Sequence, residues 1–122
     1  MKVRLSDDMI RFRLDRAEVS RLSQGMAIIL SMNIAPTSLT MVLETSNGPA
    51  PTANSRGGLR VGLPSEWLDN WPESDVVGFD FDVRAEDSAL AMTPSKVVRV
   101  VVEKDFPCSH DGSEPPKPVR MP

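Results

Sequence analysis

One cysteine, one histidine and no tyrosine among 122 residues leave few side chains for redox, metal or nucleophilic chemistry. A lone cysteine excludes an internal disulfide framework. Cys108 and His110 form the only pair of soft ligands, and two are too few for a structural zinc site, which takes four. Their adjacency does not orient the imidazole onto the thiol, so nucleophilic catalysis there is not expected, and the metal reading of this pair competes with simple packing of the thiol. Long apolar runs are also missing. The longest, residues 26–30, is far short of the ~20 residues that cross a bilayer. Lys2 and Arg4 are not followed by an apolar segment, so no secretory leader is expected and the cytoplasm is the default compartment. There is no Gly-rich phosphate loop, nucleophile elbow or zinc-binding spacing, and no cofactor is implied.

The composition that remains, 40% apolar and 25% charged, is that of an ordinary globular chain with a single core. A net charge of −3 gives no reason to expect nucleic acid. The charge is unevenly spread. Residues 1–24 carry six basic and four acidic groups, whereas residues 65–87 carry eight acidic groups and only Arg84. The two regions are expected to attract each other within the fold or to steer a partner.

The densest β signal is residues 97–106, where five valines in six positions are interrupted only by Arg99. β-branched side chains on both faces predict a central strand, the last regular element of the fold. Residues 1–14 read as a hairpin turning at Ser6-Asp7-Asp8, with Ile10, Phe12 and Leu14 on one face and arginines on the other. Asp15 and Glu18 have capping-box spacing for a helix over 16–24, which Gly25 would end. Strands are predicted at 26–33 and 38–46, a loop at 47–58, a strand at 59–63, and a short helix after Pro64 bearing Trp67, Leu68 and Trp71. Two tryptophans at that spacing belong in a core sooner than on a ligand platform. Residues 75–84 alternate Val77, Phe79, Phe81 and Val83 with Gly78, Asp80, Asp82 and Arg84, an amphipathic strand. Residues 86–95 read as a polar connection with one helical turn. Five of the eleven prolines lie at or after Pro107, so residues 1–106 are expected as one globular domain and 107–122 as an extended or disordered tail.

Two groupings have chemical potential. Asp80 and Asp82 share a strand face ~6.5–7 Å apart and would suit a divalent cation, or else pair with Arg11, Arg13 or Arg99. If the sheet curls, its polar face gathers Lys2, Arg4, Arg11, Arg13, Arg84 and Arg99 with Asp80, Asp82 and Glu103, a combination that can hold an anion.

Met1-Lys2-Val3-Arg4 with residues 10–14 and Glu18-Val19, then Trp71 with residues 74–79, then Val102-Glu103-Lys104-Asp105-Phe106-Pro107-Cys108 resemble the landmarks of a family of small uncharacterised bacterial proteins of about this length. The resemblance implies a small bacterial cytoplasmic protein and no particular activity, so it assigns no catalytic residue. Pro72 after Trp71 and Ser109-His110 after Cys108 depart from its pattern.

The resulting expectation is an α+β domain: a mainly antiparallel, twisted sheet or partial barrel of six to seven strands with two short helices. Its function is read as non-enzymatic binding, with a protein or a small anionic ligand on Lys2, Arg4, Arg11, Arg13, Arg99 and Glu103, or with a protein on the acidic segment 66–87. The competing reading is an enzyme acting on a small phosphorylated or anionic molecule in a polar concavity. Either a monomer or a homodimer is compatible with it, the latter by extension of an edge strand.

Overall fold

In the computed structural model, which describes residues 1–55, 58–84, 97–106 and 117–122, strand β1 (Lys2–Leu5) pairs antiparallel with β2 (Met9–Leu14) as the predicted hairpin. The Ser6 amide closes its turn on the Met9 carbonyl at 2.9 Å. Helix α1 (Arg16–Ser23) starts with the full capping box: the Glu18 amide donates to Asp15 Oδ1 at 2.8 Å, and the Asp15 amide donates to Glu18 Oε1 at 3.0 Å. Gly25, at φ 88°, supplies the left-handed residue past the helix end that a side chain would resist. Val19 and Leu22 are the buried side of α1.

Strands β3 (Ile28–Ile34) and β4 (Thr37–Ser46) form a long antiparallel hairpin. β6 (Leu59–Pro64) lies parallel to β4 and antiparallel to β5 (Thr52–Asn54). β5 sits inside the segment expected to be loop throughout. Three residues between prolines and polar turns offer no alternation, so only the pairing with β6 reveals it. Helix α2 (Ser65–Leu68) follows as a single turn.

β7 (Gly78–Arg84) turns Phe79, Phe81 and Val83 inward. β8 (Val97–Lys104) is central, as its valines predict, with β7 antiparallel on one side and β2 parallel on the other. It is not the last element. Val119 and Arg120 form β9, parallel to β7, so the end of the proline-rich segment is tied to the sheet. Cys108 and His110, and the helical turn expected at 88–92, lie outside the described residues.

The α+β character holds, but the expected single, mainly antiparallel sheet or partial barrel is replaced by two open sheets, in the orders β1-β2-β8-β7-β9 and β3-β4-β6-β5. Both are mixed, with parallel pairs β2–β8, β4–β6 and β7–β9. Alternation reports which face of a strand is buried. It is silent on the direction of the neighbouring strand.

A single apolar cluster takes Phe12, Leu14, Phe79, Phe81, Val100 and Val102 from one sheet, Ile28, Leu43, Val61 and Leu63 from the other, and Leu68 and Trp71 from the α2 region. Full burial of each such side chain contributes on the order of 1.5–3 kcal/mol. Both tryptophans pack into or against this cluster. Trp71 is buried and donates Nε1–H to the Val76 carbonyl at 2.9 Å, while Trp67 packs on the Phe79 and Phe81 rings at 5.5 and 5.3 Å. Lys104 is buried on the same side, donating to the Ser74 carbonyl at 2.7 Å with its ammonium 5.8 Å from the Trp71 ring centroid.

Candidate anion-binding site

Strand alternation makes the outer face of the β1-β2-β8-β7-β9 sheet the polar one, and register decides which charges meet there. Across β1 and β2, Lys2 stands opposite Arg13 and Arg4 opposite Arg11. Parallel pairing of β2 with β8 sets Arg13 beside Glu103 and Arg11 beside Val101. Antiparallel pairing of β8 with β7 sets Val101 beside Asp80 and Arg99 beside Asp82. Val101, buried under these charged side chains, separates a basic half of the face from an acidic one. The expected direct attraction between residues 1–24 and 65–87 is therefore not made on this face, because β8 runs between β2 and β7.

The acidic half is internally neutralised. Asp80, largely buried, accepts from Arg99 Nε at 2.9 Å and Nη2 at 2.5 Å, and from Arg120 Nη1 at 2.8 Å. Arg120 Nη2 also reaches Asp82 at 2.6 Å. The hydrogen bonds from Arg99, with those from Arg120 and the charge of both guanidiniums, hold the Asp80 carboxyl below its ordinary value against the opposing effect of burial. Asp80 and Asp82 both accept from arginines, and among the described residues no three Asp, Glu, His or Cys side chains converge. Arg99 belongs to this network and not to the basic half. Arg120 was missed because nothing in a proline-rich tail signals a two-residue strand.

A pH dependence follows from this network. The Lys2 ammonium, 3.1 Å from Asp105, and the nearby Arg13 charge hold the Asp105 carboxyl low as well. Carboxyls depressed by folding contribute stability that is complete above their unfolded pKa of about 4 and is lost as pH falls through the lower folded value. Acid unfolding should therefore begin below about pH 4. The stability gap between wild type and Asp80→Asn should narrow as the pH drops through that window. Denaturation curves at a series of pH values would show a constant gap if Asp80 were not depressed.

The basic half is different. Lys2, Arg4, Arg11 and Arg13 with Val3 line a half-open cavity of about 220 Å³. Like charges directly opposite each other across a ladder are destabilising. Two carboxylates offset them in part: Arg13 reaches Asp105 at 2.9 Å and Glu103 at 3.4 Å, and Lys2 reaches Asp105. Arg11 Nε lies 3.7 Å from Glu103, beyond hydrogen-bond length, and is buried with no hydrogen-bond partner among the described residues. Arg4 has no ion-pair partner among the described residues. Among the described residues, four cations against two carboxylates leave two positive charges uncompensated around one cavity. Of the ligand-binding residues predicted, Lys2, Arg4, Arg11 and Arg13 come together there, and Glu103 serves as their counter-ion.

Comparison with known proteins gives no activity to place beside this geometry: no curated protein and no solved structure matches the chain. Residues 1–117 match a family of unknown function, DUF7009, a span that contains the whole basic cavity and stops short of Arg120. The chain, matched over nearly its full length and in keeping with the small uncharacterised family its landmarks resemble, belongs to that family.

Proposed function

We propose that this protein is a non-catalytic binding protein whose Lys2–Arg4–Arg11–Arg13 cavity takes the phosphoryl group of a small ligand. The observation that carries this reading is the pair of positive charges left uncompensated among the described residues around one cavity, where Arg4 is exposed and the Arg11 side chain is 36% exposed. A phosphomonoester carries about −1.5 to −2 charges at pH 7 and three strong acceptor oxygens. It matches both the residual charge and the open donors, and arginine is suited to bidentate phosphate recognition. A cavity of about 220 Å³ is small for a whole ligand, because ligand pockets usually run to about 300–1,000 Å³. The phosphoryl group enters and the rest of the molecule lies on the strand surface. The enzyme reading finds less support, since the neighbouring carboxylates Glu103 and Asp105 are engaged with arginine and lysine instead of being poised for proton transfer.

Inorganic phosphate is the first probe. It should raise the melting temperature more than chloride at equal ionic strength. Arg11→Gln should weaken phosphate binding by roughly 10- to 100-fold, the loss expected for one hydrogen bond to a charged group. Arg4→Ala, on an exposed edge-strand residue, should abolish the phosphate-specific rise while leaving the free protein as stable or slightly more so, because it removes a like charge facing Arg11. Equal protection by chloride, or phosphate protection that survives both substitutions, would refute the site.

A further inference from the structure

The second sheet carries a feature that phosphoryl binding does not use. From Leu22 to Leu43 the chain has no charged residue, although a quarter of all residues are charged. This stretch holds β3 and most of β4, and among the described residues β3 is an edge of its sheet. The pleat places Leu30, Met32 and Ile34 of β3 beside Met41, Leu39 and Thr37 of β4 on one face. That face continues the one that carries Ile28 and Leu43 into the core. Beyond the core Met32 is 57%, Ile34 54% and Leu39 45% exposed. The other face is polar toward the tip, where Ser31 and Thr40 hydroxyls meet at 3.2 Å and the Ser38 hydroxyl donates to Asn33 at 2.8 Å. Edge strands are normally protected by lysine, proline, a bulge or extreme shortness. β3 has seven residues, no charge, no proline and an unbroken register with β4.

We infer that β3 is a homodimer interface: a second copy of this chain pairs with it antiparallel about a two-fold axis at Ser31, joining two four-stranded sheets into one of eight. The occupant follows from charge and register. Outside this stretch the chain is densely charged, and residues 22–43 provide a neutral surface on which two copies meet without like charges facing each other. A two-fold axis at Ser31 sets Leu30 of each copy opposite Met32 of the other and Ile28 opposite Ile34. Apolar side chains then meet apolar ones, and Ile29 and Asn33 meet on the polar face. The strand faces its own copy with the same pattern read backwards, which is the self-complementarity that an isologous interface requires. A seven-residue edge is about 23 Å long, enough for a full ladder of main-chain hydrogen bonds.

The test is a charge swap at the axis. Ser31 is exposed and on the polar face, so Ser31→Lys and Ser31→Asp should leave the monomer folded, as far-UV circular dichroism would confirm. In the dimer each places two like charges directly opposite each other. Sedimentation equilibrium should show wild type as a dimer at micromolar concentration, and each variant alone should dissociate at least tenfold more readily. An equimolar mixture of the two variants should recover dimers, as a heterodimer carrying lysine against aspartate. Wild type that stays monomeric up to about 100 μM, weaker than specific association, overturns the inference. So does a dimer indifferent to both substitutions, or a mixture that dissociates as readily as its components.

Discussion

Glu18→Ala is expected to cost about 3 kcal/mol or more of folding stability, because a single carboxylate closes two structures at once. Its Oε1 accepts from the Asp15 amide to complete the cap of α1, and its Oε2 lies 2.5 Å from the Met1 α-ammonium. Glu18 is only 7% exposed, so the ammonium it neutralises has little water to turn to when the carboxylate is removed. Breaking a buried pair by deleting one partner typically costs about 3–5 kcal/mol. Glu18→Gln separates the two contributions. It keeps an oxygen for the Asp15 amide and removes only the charge, so a loss of about 2 kcal/mol is expected from urea denaturation. Equal losses for Ala and Gln would show that the ion pair dominates and the cap adds nothing. A loss under about 1 kcal/mol for Ala would show that water replaces the carboxylate freely.

Gly78→Ala is expected to be strongly destabilising. Gly78 opens β7 opposite Glu103 of β8. A Cβ there would run into the Val102 carbonyl oxygen and come within 2.6 Å of Glu103 Cα and 2.9 Å of Glu103 Cβ. The obstacle is backbone of the central strand, which cannot rotate away as a side-chain tip can. β7 must lift from β8, straining the Lys104 amide to Val77 carbonyl hydrogen bond of 2.8 Å and the packing of Phe79 on both tryptophans. Overpacking alone costs about 1–3 kcal/mol, and the lost ladder adds to it. The expected result is a drop of more than about 10 °C in melting temperature, or no soluble protein. Gly48→Ala is the control. Nothing lies within 4 Å of its added Cβ and its φ is not positive, so it should melt with wild type. Near-native melting of Gly78→Ala would mean that β7 has slack at its first residue.

Part of this molecule is written in local pattern. The capping box of Asp15 and Glu18, the turn after Leu5 and the inward faces of β2, β7 and β8 all follow from residues a few positions apart, because helical and strand periods belong to the backbone itself. The same alternation placed Lys2, Arg4, Arg11 and Arg13 on one face, so the core of the candidate site was legible. Their counter-ions and the fate of the other charges were not. Glu103 reaches Arg13 only because β8 lies parallel to β2, and Arg99 turns to Asp80 because β7 lies on its other side. Arg120 meets Asp80 across 40 residues of sequence through a strand of two residues. Division into two sheets and strand direction likewise arise from which distant segments bury one another. The sequence by itself determined the inward faces of β2, β7 and β8 and the cap of α1. Tertiary structure decided which charges are answered, because pairing is settled by the free energy of joint burial and leaves no periodic trace in either partner.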